Sequence, residues 1–469
     1  MPSPSPSHRR SAIAGAIVVA FAGIVLLSAG LLEASRGVAA GQVATSDGSP
    51  AAVSYGSPAP AQLPADGSSS PGTTLPGASG LPRPSSQPST QPSSMAPPPI
   101  AGPVAAAEPA LVARLQLALD EHRLRLGIPG VSATVILPDG SAWSGASGMA
   151  DVARGTPATT DTAYAYASMS KTFTAALILQ LVGEGQIELT APALTYLPRL
   201  PIRIDRGITV AMLLDHTSGL DDFFLNPKID PALQSKPTRT WTVADALAYV
   251  RKPAFPPGRG WRYSNTNYLL LGLIVEKVTA RPLAVAIRQR LLDPLELDRI
   301  WYQAVERPRD RLAHGYRFVG PKLSAKPIDL ADGSGIAPFR SVVTAAGGAG
   351  SMAGTSGDLA RWARALYGGD VLGPRTSALM LEGFTATAAY EPKTAYGYGV
   401  QAAIIDGRPS LGHSGRFLGF RGAVRHLPAD GLTIAVLTNQ SRADPGELVR
   451  ALLAAITPPP GCPRCAYVV

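Results

Sequence analysis

Apolar residues recur with the clearest period at the two ends of the segment from 108 to 457. Over residues 108–126 they follow a helical spacing, which predicts an N-terminal helix. A β-rich run over 131–137 and a second run over 141–147 are separated by a Pro-Asp-Gly turn. This pattern predicts a hairpin directly after the helix.

The C-terminal end mirrors this arrangement. Runs over 422–427 and 433–438 predict two further strands, joined by a Pro-Ala-Asp-Gly turn. A final amphipathic helix follows, with Asp444 as its cap, Pro445 at its first position and Glu447 completing a capping box. Terminal helices and an antiparallel sheet, separated by a long region of helix and loop, predict an α+β domain rather than a doubly wound one.

An uninterrupted apolar run from Ala12 to Leu32 follows the basic residues His8-Arg9-Arg10. Its length suits a bilayer core, and the preceding positive charge predicts that the chain after it lies outside the cytoplasm. We therefore interpret residues 1–36 as a short cytoplasmic N-terminus and a transmembrane anchor. A long cleaved signal sequence is the alternative, with Val38-Ala39-Ala40 as the cleavage site, and the protein would then be secreted. The run contains no cysteine for lipid modification.

Composition separates the foldable part of the chain from its flanks. Glycine (48) and proline (45) make up about a fifth of the 469 residues, and proline is denser before residue 108 than after it. Residues 37–107 contain almost no large apolar side chains, which predicts a disordered linker. The net charge of +9 is spread along the chain without a dense Lys/Arg run, so no nucleic-acid partner is expected.

Residues 458–469 form a Pro-rich tail that contains both cysteines, Cys462 and Cys465, as a C-x-x-C motif. A small structural disulfide in an oxidising compartment, half of a metal site and a redox role all remain open for this pair.

Ser168 and Lys171 are the first candidate catalytic residues along the chain. The apolar run over 175–182 predicts a helix, and it places Ser168 at the helix N-terminus. Residues three apart share a helix face, so the Lys171 amine can reach the Ser168 hydroxyl and act as its base if its pKa is lowered. A helix start also favours developing negative charge and offers a backbone N–H to an oxyanion.

Two further segments carry polar groups at short spacing. Tyr263-x-Asn265 precedes a helical run over 269–278, and it would place a phenol for proton transfer beside an amide that holds Lys171 and substrate. In the glycine-rich segment before the C-terminal strands, His413 would present a polar or cationic group and Ser414 a hydroxyl for a substrate carboxylate. In the same segment, Gly415 would let substrate approach the backbone, and the N–H of Arg416 would act as an oxyanion donor.

The ordered motifs Ser168-x-x-Lys171, Tyr263-x-Asn265 and His413-x-Gly415 resemble those of serine β-lactamases and penicillin-binding DD-peptidases. Tyr-x-Asn is similar to the second motif of class C β-lactamases, and His-x-Gly to the third motif of some D-alanyl-D-alanine carboxypeptidases. Supporting segments similar to the family lie at Leu213–Leu220, Gly347-Gly348 with Ser351, Tyr396–Gly399 and Ala435–Asn439. The resemblance covers residues 108–457.

The resemblance implies a β-lactamase/transpeptidase-like fold, with an antiparallel sheet flanked by terminal helices and a helical subdomain beside it. It implies that Ser168 is acylated, that Lys171 and Tyr263 transfer protons and that Asn265 orients substrate. His413 would stand where lysine is common, and the N–H groups of Ser168 and Arg416 would form the oxyanion hole. No cofactor is implied. The expected substrate is a small peptide, β-lactam or ester, with cell-wall peptidoglycan as the source of the peptide.

We expect a DD-carboxypeptidase-like activity on cell-wall peptides, with β-lactamase and esterase activity of the same family as alternatives. A catalytically idle module that binds wall peptides or β-lactams is an alternative of another class. Gly412–Arg416 also resembles the nucleophile elbow of α/β-hydrolases, but an elbow needs a strand before it and a helix after it, and a strand is predicted after Gly415. The six histidines are scattered, so we expect no metal site, and we interpret His216 as structural.

Overall fold

The computed structural model of the chain describes residues 106–318, 326–381, 384–386 and 394–456. The apolar run from Ala12 to Leu32, nearly all of the predicted linker and the tail with Cys462 and Cys465 lie outside these residues, so the division of the chain into segments stays a prediction. Within the described ranges, no helix combines the length and the apolar character needed to cross a membrane.

The elements are named here in chain order. The helices are α1 Pro109–Arg125, α2 Lys171–Gly183, α3 Ala193–Tyr196, α4 Val210–Leu214, α5 Ile229–Ser235, α6 Val243–Leu247, α7 Asn265–Thr279, α8 Leu283–Ile287, α9 Arg340–Ala346, α10 Ser356–Gly368, α11 Pro374–Leu381 and α12 Pro445–Ile456. The strands are β1 Gly130–Ile136, β2 Ala142–Asp151, β3 Thr156–Pro157, β4 Tyr164–Ala165, β5 Ile300–Tyr302, β6 Tyr316–Arg317, β7 Ile328–Asp329, β8 Met352–Gly354, β9 Thr385–Ala386, β10 Thr394–Tyr396, β11 Gln401–Ile405, β12 Arg408–Phe417, β13 Phe420–Leu427 and β14 Leu432–Thr438.

A nine-stranded antiparallel sheet joins the two ends of the domain. Its order is β3-β2-β1-β14-β13-β12-β11-β10-β9, so the N-terminal hairpin pairs with the C-terminal one through β1 and β14. All seven residues of β1 and of β14 are buried. Strands covered on both faces read as continuous apolar or small runs, which is the pattern that these two segments show.

The terminal helices α1 and α12 cover one face of the sheet. The carboxylate of Glu108 caps α1 by accepting hydrogen bonds from the N–H groups of Ala110 and Leu111. Leu115 of α1 and Leu452 of α12 are fully buried in the core on this face, and each such side chain contributes about 2 kcal/mol. At α12, Asp444 accepts from the Gly446 N–H as predicted, while the Glu447 carboxylate pairs with Arg125 of α1. The capping residue was thus predicted correctly, but Glu447 links the two helices.

The opposite face of the sheet packs against the larger, helical part of the domain. Its centre is α2, in which every residue from Lys171 to Leu179 is buried. Phe173 stacks on Trp362 of α10 with ring centroids 4.2 Å apart. The predicted α+β class is confirmed, with an antiparallel sheet between terminal helices and a helical part.

One edge of β12 opens beside the helical part. Strand β13 pairs with β12 as far as Phe417, but β11 pairs with it only up to Gly412, opposite Gln401. Within the described residues, 413–417 therefore have no paired strand on the β11 side. The candidate site lies where this edge meets the start of α2.

Candidate active site

Ser168 lies on a 3₁₀ turn, Ala167–Ser170, that leads directly into α2. The sequence predicted it at the helix N-terminus, and the structure places it one tight turn earlier. Ala167 takes a left-handed φ of 49°, which is costly for a residue with a Cβ. Ser168 keeps partial exposure while Ala167, Met169 and Ser170 are buried, so the turn presents one hydroxyl to solvent.

Lys171 is fully buried, and its amine is held by three contacts. Nζ lies 3.2 Å from the Ser168 Oγ, 2.7 Å from the Asn265 Oδ1 and 2.8 Å from the backbone oxygen of Ala349. The Asn265 and Ala349 oxygens can only accept hydrogen bonds. A neutral amine has two hydrogens for these acceptors and one lone pair, and that lone pair then faces the Ser168 hydroxyl.

Burial also prepares Lys171 to act as a base. Desolvation lowers the pKa of Lys171 from 10.5 to about 7, although the nearby Asp222 carboxylate opposes the shift by stabilising the ammonium form. Near neutral pH a substantial fraction of the amine is therefore unprotonated. A base whose pKa lies near the working pH is the most effective partner for a serine hydroxyl.

Asn265 connects Lys171 to a buried carboxylate. It is the first residue of α7, and its Nδ2 donates to the Asp222 Oδ2 at 2.8 Å while its Oδ1 accepts from Lys171. Asp222 also accepts from the Phe224 N–H, and burial raises its pKa above the usual range. Because a carboxylate can only accept, Asp222 fixes which side of the Asn265 amide faces Lys171.

Tyr263 lies over the same amine. The Lys171 Nζ is 4.9 Å from the centroid of the Tyr263 ring, within the range of a cation–π contact when the amine is charged. The ring of His413 lies 6.4 Å away, between centroids. The structure thus brings Tyr263 and Asn265 from the start of α7 to Lys171 of α2, as the motifs predicted.

His413 is fully buried, and both of its ring nitrogens are engaged. Nδ1 lies 2.6 Å from the backbone oxygen of Ser414, and Nε2 lies 2.9 Å from the Tyr396 hydroxyl. Since Ser414 O can only accept, Nδ1 carries a proton, and in a neutral ring Nε2 accepts from the Tyr396 hydroxyl. Burial and the charge of Lys171 lower the pKa of His413 to about 3. Of the two roles predicted for this side chain, burial therefore favours the polar one over the cationic one.

The remaining residues of the third motif line the open edge of β12. The Ser414 N–H points to the β11 side, where it donates to the Gln401 Oε1 at 2.9 Å. Backbone groups alternate along a strand, so the Arg416 N–H points to the same open edge. A Cβ on Gly415 would lie 2.2 Å from the backbone oxygen of Tyr166, so only glycine lets the strand lie this close to the Ser168 turn.

A second polar cluster lies away from these residues. Donor atoms of Asp151, His314 and Asp329 lie within 4.8 Å of one another, a spacing that a metal ion could use. The His314 Nδ1 is 2.8 Å from Asp329, and its Nε2 is 3.8 Å from Asp151. A hydrogen bond between the imidazole and Asp329 accounts for this spacing without a metal.

Asp222, Ala349, Tyr396 and Gln401 were not among the residues singled out from the sequence. Tyr396 lay in a segment noted for its resemblance to the family, and Ala349 lies beside another. Their roles depend on contacts between residues far apart in the chain, and the Ala349 contribution is a carbonyl that any residue would supply. Local spacing carries no signal for such groups.

The chain is similar in sequence and structure to several known proteins. The family model described as Beta-lactamase matches residues 107–457. The chain is 30% identical to penicillin-binding protein 4 of Amycolatopsis lactamdurans over 378 residues, 75% of this chain and 94% of that protein. It is 28% identical to esterase EstB of Burkholderia gladioli, over 70% of this chain and 90% of that protein. The crystal structure of a D-stereospecific amidohydrolase from Streptomyces sp. superposes with a TM-score of 0.63 at 30% identity, covering 72% of this chain and 97% of that one.

Proposed function

The chain belongs to the beta-lactamase family of serine hydrolases, and we propose that it is a DD-carboxypeptidase-like hydrolase that forms an acyl-enzyme on Ser168. The observation that carries the proposal is the set of three contacts at Lys171. Two oxygens that can only accept take the two hydrogens of the neutral amine, and its lone pair faces the Ser168 hydroxyl. That arrangement is what a serine nucleophile requires of its base.

In the acylation step, Lys171 takes the proton of the Ser168 hydroxyl as Oγ forms a bond to the substrate carbonyl carbon. The carbonyl oxygen becomes an oxyanion, which the N–H groups of Ser168 and Arg416 stabilise. The proton passes through Tyr263 to the leaving nitrogen or oxygen as the scissile bond breaks. The product is an ester of Ser168 and a released amine or alcohol.

In the deacylation step, water attacks the ester carbon and gives up one proton to the Tyr263–Lys171 pair. The bond from Ser168 Oγ to carbon breaks, and the proton returns to Oγ. Asn265 holds Lys171 throughout and offers its amide to the substrate, and Ser414 offers its hydroxyl to a substrate carboxylate. His413 stays neutral and supports the β12 edge.

Two observations bear on the substrate. A penicillin-binding protein and a D-stereospecific amidohydrolase are among the relatives, which favours D-configured peptides or amides. The similarity to an esterase, together with a neutral His413 where a fixed cation would attract a carboxylate, favours a second candidate, an esterase or amidase that acts on uncharged substrates. β-Lactamase turnover is a further alternative, and an idle binding module is the alternative outside catalysis.

We further propose that the apolar run from Ala12 to Leu32 anchors the protein in the membrane and that its catalytic domain acts outside the cytoplasm. The support is the sequence alone: the length of the run, the basic residues before it and the Pro/Ser/Gly-rich segment after it. Peptidoglycan peptides would then be within reach of the domain.

Parallel assays separate these candidates. Purified protein is incubated with an N-acylated D-Ala-D-Ala peptide, with nitrocefin and with a 4-nitrophenyl ester, each beside the matched variant Ser168→Ala. We expect D-alanine release that the variant lacks. Ester hydrolysis without D-alanine release would favour the second candidate, rapid nitrocefin turnover alone would favour a β-lactamase, and activity equal in the Ser168→Ala variant would refute the assignment of the nucleophile.

A further inference from the structure

His216 is a buried residue beside the candidate site with an unusual backbone conformation. It follows α4, is fully buried and takes a left-handed φ of 67°. A residue with a bulky side chain rarely adopts this conformation without support from its surroundings. The sequence offered only a structural interpretation for it.

His216 is hydrogen-bonded to the residues that precede and follow Tyr263 in the chain. The backbone oxygen of His216 accepts from the Arg262 N–H at 3.2 Å. Its ring Nδ1 accepts from the Ser264 N–H at 3.3 Å and contacts the Asn267 Nδ2 at 3.1 Å. The residues before and after Tyr263 are therefore bound to one histidine, through its main chain and its side chain.

The imidazole also lies against the Tyr263 ring itself. Their centroids are 4.4 Å apart, and the Lys171 amine lies 4.9 Å from the same tyrosine ring. The Tyr263 ring thus contacts both His216 and the base. A phenol that relays a proton must keep a fixed distance from its partners, and a misplacement of about 1 Å can cost about 10²-fold in rate.

The protonation state of His216 follows from its partners. The Ser264 N–H can only donate, so Nδ1 bears the lone pair and the proton is on Nε2. Within the described part of the chain, this buried Nε2 has no hydrogen-bond acceptor, and the rings of Tyr263, Tyr268 and Tyr396 surround the imidazole with centroids 4.4 to 5.4 Å away. Burial and the charge of Lys171 lower the pKa of His216 well below its usual value, so the ring is neutral.

We propose that His216 is the positioning residue for Tyr263: it holds the phenol ring against the Lys171 amine, beside which the proposed proton transfer takes place. The inference rests on the proposed role of Tyr263. It predicts that the loss of His216 lowers kcat through Tyr263 and leaves KM nearly unchanged, because His216 acts through the tyrosine and not on substrate.

Two substitutions separate this role from simple packing. Glycine and asparagine both tolerate a left-handed φ, so neither variant adds backbone strain. His216→Asn keeps an acceptor close to the position of Nδ1, whereas His216→Gly removes it. His426→Asn, at a buried histidine of β13 that bonds to Thr433, controls for the loss of an imidazole from the core.

The assay is steady-state hydrolysis of a 4-nitrophenyl ester, with thermal unfolding measured in parallel, in the wild-type and Tyr263→Phe backgrounds. We expect His216→Gly to lower kcat by about 10- to 100-fold with KM within about threefold, and His216→Asn to restore most of the loss. In the Tyr263→Phe background both substitutions should change kcat by less than about threefold. His426→Asn should keep the wild-type kcat.

The outcomes distinguish this inference from the proposed function. If Tyr263→Phe lowers kcat and His216→Gly lowers it by the same factor in both backgrounds, the positioning role is refuted while the role of Tyr263 stands. If Tyr263→Phe keeps the wild-type kcat, the proton transfer through Tyr263 fails and the inference fails with it. If His216→Gly does not fold, a loss of kcat in His216→Asn that disappears in the Tyr263→Phe background supports the inference, and a persistent loss refutes it.

Discussion

Replacing Asp222 by asparagine should shift the pH–activity profile of the enzyme to lower pH, because Asp222 stabilises the charged form of Lys171. The base must be unprotonated to accept the Ser168 proton, so activity of the wild type should fall as the pH drops below about 7, the pKa of Lys171. Removing the carboxylate destabilises the ammonium form. The pKa of Lys171 therefore falls, and the acidic limb of the profile moves to lower pH.

The size of the shift follows from the contacts through Asn265. The links from the Lys171 Nζ to the Asn265 Oδ1 and from the Asn265 Nδ2 to Asp222 are 2.7 and 2.8 Å long. With the amide between them, the charges lie about 7 Å apart, and at an effective dielectric constant of about 20 they interact by about 2.4 kcal/mol. That free energy corresponds to a pKa change of about 1.7, so we expect the limb to move by about one to two pH units.

The assay is kcat/KM for a 4-nitrophenyl ester between about pH 4.5 and 9, with thermal unfolding measured alongside. The asparagine amide keeps only one of the two acceptors that Asp222 offers to Asn265 and Phe224, so a stability loss of about 1–3 kcal/mol is also expected. Asp221→Asn is the matched control, since the Asp221 carboxylate pairs with Arg251 at 2.7 Å and contacts none of the catalytic groups. A limb that stays at the wild-type pH in Asp222→Asn, or moves equally in Asp221→Asn, would refute the assignment of Lys171 as the titrating base.

Three further substitutions test other contacts of the site. Lys171→Met should abolish activity. In the wild type, the folded pKa of Lys171 (about 7) lies below its unfolded value of 10.5, so the free energy of unfolding should rise by up to about 5 kcal/mol between pH 7 and 10.5. Denaturant titrations at several pH values should show this Lys171 contribution in the wild type and not in Lys171→Met. Tyr396→Phe leaves the buried Nε2 of His413 without its donor and should cost about 1–3 kcal/mol of stability in the same titrations, an expectation that an unchanged midpoint would contradict. Gly415→Ala places a Cβ 2.2 Å from the Tyr166 carbonyl and should lower the rate of labelling by a fluorescent penicillin by at least about 10²-fold, so labelling at the wild-type rate would show that the β12 edge is not close to the Ser168 turn.

Much of the fold could be predicted because its ends are periodic. The leucine spacing after Glu108 and the alternation around 131–147 are local signals, and the C-terminal strands and helix repeat them. The middle of the domain could not be predicted in such detail, because its helices are short and most are only four to eight residues long. The sequence also did not predict the 3₁₀ turn that carries Ser168, since the left-handed φ of Ala167 is imposed by packing and not by residue type.

At the site, the motifs were sufficient for groups whose chemistry lies in the side chain. Ser168, Lys171, Tyr263 and Asn265 come together as the motifs predicted. The protonation state of His413 could not be predicted, because it depends on burial and on the donor Tyr396.

Mass spectrometry of the trapped enzyme will show directly whether Ser168 carries the acyl group. The protein is incubated with a fluorescent penicillin, quenched in acid and digested, and the adduct is located by peptide sequencing in the wild type and in Ser168→Ala. We expect one adduct, on Ser168, formed faster at pH 8 than at pH 6 because most of Lys171 is then unprotonated. An adduct on another residue, or labelling that persists in a folded Ser168→Ala variant, would contradict this expectation.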